Sequence, residues 1–457
     1  MDTLPAKLAL SRAVGLAARA SGRGGGTSLP GRLLLRLDPQ ALHRLAAQLT
    51  QGRYVISATN GKTTTAAISA SILERAGRVL VRNTAGANMA GGIASTLLAA
   101  TRNDGTLNGD TGLFEVDEFW LDAVTEQLEP NALVLGNLFR DQLDRYGELE
   151  SIASRWAGVV DGLDAGTALI LNADDPLIAD LGREHSAAIY FGVEDDRLAL
   201  ATRQHASDAT HCRRCGATYL YESVYLGHLG HYRCPGCGWQ RPAPAVQARE
   251  VTLHGSTAAT FTLVSGQEER PVSLSLPGLY NVYNALAAAA LAVACGIELD
   301  TITAGLQAAT AAFGRAETVE LAGLPIQILL VKNPAGANAI LQTLALEPGE
   351  LDLLAILNDN IADGRDVSWI WDADFEPLVP HVRHVVCSGR RASELALRFK
   401  YAGLARDRLT VEPALPRALD IAAGMAHGRL FALPTYTALI ELRAELGRRG
   451  AVLPYWS

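Results

Sequence analysis

Lysine is scarce in this chain of 457 residues. Its only lysines are Lys7, Lys62, Lys332 and Lys400, and arginine supplies the remaining positive charge. The formal net charge of −8 argues against a surface that coats nucleic acid. Because the chain uses lysine so rarely, the positions of Lys62 and Lys332 are informative about its function.

Long apolar runs and a secretion signal are also missing. The run 8–20 is interrupted by Arg12 and Arg19, unlike the apolar core of a signal peptide. The longest uncharged stretch, 271–297, contains a Pro-Gly turn, and its apolar part is too short to span a bilayer. A basic amphipathic helix over 7–23 could touch a membrane surface, but a helix packed on the domain is favoured. We therefore expect a soluble cytoplasmic protein that could act at the inner face of the membrane.

Four of the six cysteines form two Cys-x-x-Cys pairs, separated by 18 residues: Cys212, Cys215, Cys234 and Cys237. Four thiolates at this spacing can close a tetrahedral Zn²⁺ site. A disulfide pairing would require an oxidising compartment, for which the sequence gives no signal. Four protein ligands leave no open position on the metal, so the sequence predicts a structural zinc ribbon inserted at 202–245.

The central feature of the chain is a glycine turn between a strand and a helix. A β-prone run at 54–56 leads into Gly61-Lys62-Thr63, and a helical pattern follows over 65–76. In such a phosphate loop the backbone N–H groups face the anion, Lys62 neutralises it and the Thr63 hydroxyl reaches Mg²⁺. The usual first glycine of the loop is Ile56 here, so this is a variant. An ordinary capped helix start is the alternative.

Residues 52 to about 200 alternate short apolar strands with helical segments. This pattern predicts a mostly parallel sheet with helices on both faces. The segment 113–118 ends one of these strands and places Glu115 at the sheet edge near the phosphate loop, where a carboxylate can hold Mg²⁺. A solvated acidic loop is the alternative. The candidate strands are 53–57, 79–82, 112–116, 132–136, 168–172 and 188–192.

A second α/β unit is expected at the C-terminal end, and the chain divides into 1–50, 51–317 and 318–457. Strands are predicted at 326–331, 352–357, 384–387 and 429–433. The loop that contains Asn333 follows the first of these strands. The second strand leads into loop 358–372, whose Ser-Trp-Ile-Trp-Asp ending is typical of a partner or substrate surface. Before this unit, Asn281 and Asn284 share a face at a helix start, suited to hydrogen-bonding a purine edge or to simple N-capping.

Together these motifs resemble the Mur ligase family, which includes folylpolyglutamate synthase. The resemblance is carried by Thr59-Asn60-Gly61-Lys62-Thr63-Thr64, the Glu115 segment, Asn281-x-x-Asn284 and Gly314-Arg315-x-Glu317. It is closer still to the MurT group, the Mur-ligase-like subunits of lipid II isoglutaminyl synthases. That likeness is carried by the short N-terminus, the four-cysteine insertion, the loop 332–334 and the segment 363–372.

The resemblance implies an α/β fold: a parallel-sheet, phosphate-loop Mur ligase central domain with a zinc-ribbon insertion, followed by a Rossmann-like C-terminal domain. It implies ATP-dependent amidation of the D-glutamate α-carboxylate of the lipid II stem peptide to D-isoglutamine, through an acyl phosphate, in peptidoglycan biosynthesis. Lys62 would be catalytic, together with Mg²⁺ held by Thr63 and Glu115. The expected nucleotide-binding residues are Asn60, Gly61, Lys62, Thr63, Thr64, Asn281, Asn284, Arg315 and Asn333.

The ammonia requires a glutaminase, which needs an activated cysteine with a histidine partner. Neither Cys295 nor Cys387 lies in a nucleophile-elbow pattern, so the glutaminase is expected on a separate chain. The resemblance identifies that chain as a GatD-type glutamine amidotransferase whose Cys-His pair is completed by an aspartate of this chain. We expect Asp363 in that role, with Asp366 second. Two alternatives are a stand-alone Mur- or folylpolyglutamate-type amino-acid ligase and a zinc-ribbon interaction protein with a degenerate nucleotide site.

Overall fold

The computed structural model describes residues 4–20, 28–83, 87–141, 149–310 and 315–452. Within them the chain builds a nine-stranded and a six-stranded sheet, each with packed helices, and a separate two-stranded ribbon. None of the described helices is long and apolar enough to cross a membrane.

Up to residue 193 the elements are α1 (Leu4–Ala20), α2 (Leu29–Leu37), α3 (Ala41–Ala46), β1 (Gly52–Ser57), α4 (Lys62–Arg75), β2 (Leu80–Arg82), α5 (Ala90–Ala100), β3 (Thr111–Glu115), α6 (Leu121–Leu128), β4 (Ala132–Leu135), α7 (Leu149–Asp161), β5 (Ala168–Asn172), α8 (Pro176–Leu181) and β6 (Ile189–Val193). The ribbon is β7 (Leu220–Leu226) and β8 (Leu229–Arg233). The first unit ends with β9 (Val246–His254), β10 (Ala258–Ser265), β11 (Glu268–Leu274), α9 (Leu279–Ala294) and α10 (Leu299–Gln307).

The second unit comprises β12 (Arg315–Leu321), β13 (Leu324–Leu329), α11 (Pro334–Leu344), β14 (Leu351–Ile356), β15 (Val382–Ser388), α12 (Ala392–Tyr401), β16 (Leu409–Val411), α13 (Leu415–Met425), β17 (Leu430–Pro434) and α14 (Tyr436–Arg448). Its strand order is β12-β13-β17-β14-β15-β16. All neighbours are parallel except β12 and β13, which form an antiparallel hairpin. The expected boundary between 317 and 318 falls inside β12, which pairs with β13 from Arg315 onward.

The first sheet has the order β11-β10-β9-β6-β5-β4-β1-β3-β2. Strands β1 to β6 pair in parallel, as predicted. Strand β9 joins β6 in parallel as well, and β10 and β11 add an antiparallel edge. On β1, Ile56 contributes to the core under α4 and α9, whereas Val55 packs in the core on the opposite face. Both faces of the strand are therefore buried, which explains its continuous apolar run at 54–56.

Helix α2 departs from the sequence-based expectation, which placed no helix over Leu29–Leu37. Pro30 lies in the first turn of this helix, where the missing N–H removes no helical hydrogen bond. Gly31 lets α2 approach α5 closely, since a Cβ at Gly31 would lie 2.0 Å from the backbone oxygen of Gly91. The N–H of Gly31 donates to the hydroxyl of Ser95 over 2.8 Å. Pro30 and Gly31, a pair that is typical of a turn, thus lie in the first turn of a tightly packed helix.

Candidate active site

The phosphate loop places its glycine where no other residue fits. Gly61 is the N-cap of α4 and has a φ of +90°, in the left-handed region. A Cβ on Gly61 would lie 2.0 Å from Oδ1 of Asn284. Helix α4 begins at Lys62, so the unpaired N–H groups of its first turn follow directly on the loop. The local geometry is therefore that of an anion-binding helix start.

Lys62 forms a nearly buried ion pair with Glu118. The Nζ atom lies 2.8 Å from Oε2 of Glu118, and the two side chains are 9% and 10% exposed. Nζ also donates to the backbone oxygen of Ala58 within the loop. Glu118 was not singled out from the sequence, although it stands in the acidic segment that suggested Glu115. Only the fold shows that this second carboxylate is the partner of the loop lysine.

Glu115 lies at the carboxyl end of β3, directly beside the strand that leads into the loop. It pairs in register with Ile56 of β1 and is 5% exposed. Both its backbone N–H and its backbone oxygen are hydrogen-bonded to the side chain of Asn83, at 2.9 and 2.8 Å. The backbone of Glu115 is thus fixed beside β1 by its strand and by Asn83.

The oxygen-rich donor set at this edge fits a hard divalent cation. Glu115 and the hydroxyl of Thr63 are the oxygen ligands that Mg²⁺ prefers. Asp117, also buried, has a pKa above its ordinary value because of burial and the nearby charge of Glu118, with Lys62 acting in the opposite direction. Bringing a cation near this group of carboxylates would offset their mutual repulsion.

Asn281 and Asn284 lie at the start of α9 and are 3% and 6% exposed. The Thr65 hydroxyl donates to Oδ1 of Asn284 over 3.3 Å, and Nδ2 of Asn284 donates to Oδ1 of Asn281 over 3.0 Å. These hydrogen bonds tie α9 to the phosphate-loop helix. Contact of either amide with a purine remains a prediction. A further expected nucleotide contact, the side chain of Arg315, lies outside the described residues.

Asn333 connects the second unit to the phosphate loop. It caps α11, its Oδ1 accepting from the N–H of Gly336 over 2.8 Å, and it exchanges two amide hydrogen bonds with Asn60. Its neighbour Lys332 forms an ion pair with Asp141 of the first unit. Burial raises the pKa of Asp141, and the charge of Lys332 opposes this shift.

The loop after β4 holds the other side of the phosphate loop. The side chain of Asn137 accepts from the N–H of Asn60 and donates to its backbone oxygen, both over 2.9 Å. The Thr59 hydroxyl accepts from the N–H of Phe139 over 3.1 Å. The sequence indicates a functional role for the acidic segment 137–147, directly after a strand of the parallel sheet, but it does not single out Asn137 or Asp141 as site residues.

A small cavity opens beside these contacts, between the two units. Six of the polar side chains that line it are Arg140, Asp141, Lys332, Asn333, Asp363 and Asp366. The cavity joins the Lys332–Asp141 pair to the loop of the second unit from which a partner-facing aspartate was predicted.

The two candidate aspartates differ in accessibility. Asp363 is 5% exposed, and its carboxylate accepts hydrogen bonds from the N–H of Thr437 over 2.7 Å and of Asn360 over 3.2 Å. It therefore caps the first turn of α14. Asp366 is exposed and accepts from the N–H of Ser368 over 2.8 Å. Hydrogen bonds from Ser368 hold the pKa of Asp366 below its ordinary value.

The four paired cysteines converge as the spacing predicts. Their Sγ atoms all lie within 4.8 Å of one another, and a tetrahedral zinc–thiolate site needs separations of about 3.8 Å. The two turns are built alike: Gly216 and Gly238, each directly after its pair, both have a φ of +73°. Each donates its N–H to the backbone oxygen of the first cysteine of its pair. The donor set and geometry fit a closed metal site.

Comparisons with known proteins decide the family. The Mur ligase middle domain matches residues 56–228, and the MurT ligase C-terminal domain matches residues 330–439. The chain is 33% identical over 430 residues to the lipid II isoglutaminyl synthase (glutamine-hydrolyzing) subunit MurT of Streptococcus pneumoniae, with 94% of both chains covered. It is 32% identical over 438 residues to the subunit of the same name from Staphylococcus aureus strain N315, with 94% of this chain and 95% of that protein covered. The chain belongs to the MurT family of Mur ligases.

Solved structures agree on the fold of this MurT-family chain. The pseudomurein peptide ligase type C of Methanothermus fervidus superposes with a TM-score of 0.67 at 24% identity, covering 88% of this chain and 79% of that one. The folylpolyglutamate synthase of Mycobacterium tuberculosis, solved with ADP and AMPPCP, gives a TM-score of 0.59 at 18% identity, covering 90% and 94%. At these identities the likeness concerns the fold alone. The predicted Mur ligase architecture is confirmed.

Proposed function

We propose that this MurT-family chain is the ligase subunit that amidates the D-glutamate α-carboxylate of the lipid II stem peptide to D-isoglutamine, a step of peptidoglycan biosynthesis. The observation that carries the proposal is the phosphate loop with its buried Lys62–Glu118 pair, set in a chain that matches lipid II isoglutaminyl synthase subunits over 94% of its length. The substrate would be met at the inner face of the membrane.

The reaction needs activation, because a carboxylate and ammonia do not condense in water. Transfer of the γ-phosphoryl group of ATP to a carboxylate oxygen gives an acyl phosphate. Ammonia then attacks the carbonyl carbon, the bond from that carbon to the phosphate oxygen breaks, and the nitrogen loses a proton as the amide forms. Lys62 would stabilise the charge that develops on the transferred phosphoryl group. Mg²⁺, held by Thr63 and Glu115, would supply further positive charge there.

The nucleotide would be held from both units. Asn60, Gly61 and Thr64 belong to the loop and the first turn of α4, and the side chains of Asn281 and Asn284 fix that loop from α9. Arg315 and Asn333 would complete the site from the second unit, with Asn333 near the ribose. Zn²⁺ would be bound structurally by Cys212, Cys215, Cys234 and Cys237.

The two cysteines outside the cluster, Cys295 and Cys387, are unsuited to act as a glutaminase nucleophile, which favours a glutaminase on a separate chain. Burial raises the pKa of both Cys295 and Cys387, which disfavours the thiolate that a glutaminase nucleophile requires. The names of the relatives describe subunits of a glutamine-hydrolysing enzyme. We therefore propose a GatD-type glutamine amidotransferase as the partner that delivers ammonia, with Asp363 completing its Cys-His pair and Asp366 as the second candidate.

The ligase activity is tested with the purified chain, ATP, lipid II and ammonium chloride, followed by mass spectrometry of the stem peptide. We expect the small mass decrease that accompanies replacement of a carboxyl hydroxyl by an amide nitrogen. A mass increase equal to a whole amino-acid residue would show a stand-alone amino-acid ligase and refute the proposal. The absence of ATP turnover with every substrate would point to a degenerate nucleotide site.

The aspartate that this chain would supply to the partner is tested with Asp363→Asn and Asp366→Asn, each assayed with the partner subunit and glutamine, and separately with ammonium alone. We expect Asp363→Asn to abolish the glutamine-dependent reaction and to retain the ammonium-dependent one. The same selective loss in Asp366→Asn instead, the more exposed residue, would transfer the role to Asp366. Loss of both reactions in Asp363→Asn would place that residue in the ligase site. Because Asp363 caps α14, circular dichroism of each variant is required alongside.

A further inference from the structure

The insertion that carries the four cysteines reaches the nucleotide site through its hairpin. Strands β7 and β8 are joined by the two-residue turn Gly227–His228. The ring of His228 is fully buried and packs on Phe139 with ring centroids 4.6 Å apart. Phe139 belongs to the loop after β4 that is hydrogen-bonded to the phosphate loop.

The turn approaches Phe139 so closely that it needs a glycine at position 227. Gly227 has a φ of +60°, and a Cβ there would lie 2.8 Å from Cε1 of Phe139. The Ser207 hydroxyl donates to the backbone oxygen of Gly227 over 2.6 Å, and the N–H of Gly227 donates to Oε1 of Gln204 over 2.7 Å. The turn is thus held by its own insertion and pressed against Phe139.

His228 acts here through its shape. Neither of its ring nitrogens has a hydrogen-bond partner among the described residues. Asp175 lies 3.3 Å from Nε2, and its Oδ2 also accepts from the N–H of Leu138 over 2.9 Å. The ring of His228 therefore meets the nucleotide side of the molecule chiefly through its packing on Phe139.

A second contact from the insertion holds the next residue of the same loop. The carboxylate of Asp208 accepts from the backbone N–H of Arg140 over 2.9 Å and pairs with its guanidinium group. Residues 139 and 140 are thus fixed from the insertion side. On the other side, the N–H of Thr59 donates to the backbone oxygen of Asn137 over 3.0 Å. The path from insertion to phosphate loop is one continuous set of contacts.

We propose that the Gly227–His228 turn is a positioning element of the nucleotide site, which sets the phosphate loop through Phe139. The inference rests on the proposed function only in that the loop binds ATP. The proposal gives the four-cysteine insertion a role beyond its own stability. Strand β8 connects the two sites, because it begins directly after the Gly227–His228 turn and ends directly before Cys234. Small displacements of such supporting residues are transmitted to the ligand, because packed contacts are stiff.

The test compares Gly227→Ala with Gly266→Ala. Gly266 opens the two-residue turn between β10 and β11 with a φ of +61°, and nothing lies within 4 Å of an added Cβ there. Both variants carry the same backbone strain, but only Gly227→Ala pushes on Phe139. Calorimetry with a non-hydrolysable ATP analogue and Mg²⁺ should show affinity weakened about tenfold in Gly227→Ala and changed less than about twofold in Gly266→Ala.

A second pair of variants separates ring shape from hydrogen bonding. His228→Ala should raise the KM for ATP and leave the KM for the lipid substrate unchanged, whereas His228→Phe should restore the KM for ATP because it keeps a ring against Phe139. Metal content and far-ultraviolet circular dichroism confirm that each variant is folded. Unchanged nucleotide affinity in both Gly227→Ala and His228→Ala would overturn the inference, as would equal weakening in Gly266→Ala. Failure of the unsubstituted chain to bind the analogue would instead refute the proposed function.

Discussion

Asn60 and Asn333 join the two α/β units through a pair of reciprocal amide hydrogen bonds. Nδ2 of Asn60 donates to Oδ1 of Asn333 over 3.2 Å, and Nδ2 of Asn333 donates to Oδ1 of Asn60 over 3.0 Å. One residue lies in the phosphate loop and the other caps α11, so the pair sets the position of the second unit relative to the loop. Asn333 is 1% exposed, which leaves water little access to its amide.

Substitution of the two asparagines should have unequal effects on stability. Asn60→Ala removes the pair alone, whereas Asn333→Ala also removes the cap that accepts from Gly336. We expect Asn333→Ala to lower the free energy of unfolding by about 1 kcal/mol more than Asn60→Ala. Urea denaturation followed by circular dichroism measures both, and Asn333→Asp, which keeps an acceptor for Gly336, should recover the difference. Equal losses in the two alanine variants would show that the cap contributes nothing.

Lys62→Met should abolish activity and also destabilise the fold. We expect turnover to fall at least about 100-fold, because a positive charge aimed at the transferred phosphoryl group is lost. Stability should fall by about 1–3 kcal/mol, because the largely buried carboxylate of Glu118 loses its partner. Exposed Lys400, changed to Met on α12, is the matched control and should alter neither property.

The double variant Lys62→Met/Glu118→Gln separates these two effects. Removing the unpaired charge of Glu118 should restore most of the lost stability, measured by thermal unfolding, while turnover stays at the level of Lys62→Met. Recovery of activity in the double variant would contradict the role of Lys62 in phosphoryl transfer.

The cysteine cluster predicts zinc bound in a one-to-one ratio. Cys212→Ser should lose the metal, measured by inductively coupled plasma mass spectrometry, since three remaining thiolates cannot close the tetrahedral structural site. The matched control is Cys295→Ser, which lies on the C-cap of α9 outside the cluster and should retain about one zinc per chain. Full zinc content in Cys212→Ser would rule out the proposed ligand set.

One contact between the insertion and the second unit should depend on pH. Nδ1 of His205 lies 2.5 Å from Oδ1 of Asp374, and this hydrogen bond and the charge of Asp374 raise the pKa of His205. A raised folded-state pKa adds stability that is complete below the unfolded pKa and is lost as pH rises through the folded value. The tie should therefore be stronger near pH 6 than near pH 8. An NMR titration of His205 should show its pKa falling in Asp374→Asn, and an unchanged value would exclude the pairing.

The strands of the first sheet could be predicted because their signals are local. Candidate strand 53–57 corresponds to β1, and 168–172 coincides with β5. Both are short apolar runs bounded by turn residues, which is the signature of a buried parallel strand. Helix α2 was not predicted, because the local signal of Pro30 and Gly31 is that of a turn and not of a helix. The close packing of α2 on α5, which explains the glycine, has no signature in that stretch of sequence.

The sequence by itself determined the phosphate loop, the magnesium candidates that follow it and the four-cysteine ribbon, because each depends on residue types at short, fixed spacing. Only the tertiary structure decided the partners: Glu118 for Lys62, 56 positions away, and Asn333 for Asn60, 273 positions away. It also decided that Asp363 caps a helix and that the ribbon's hairpin supports Phe139. Such pairings follow from how whole sheets and helices pack, and no spacing along the chain encodes which distant side chains then meet.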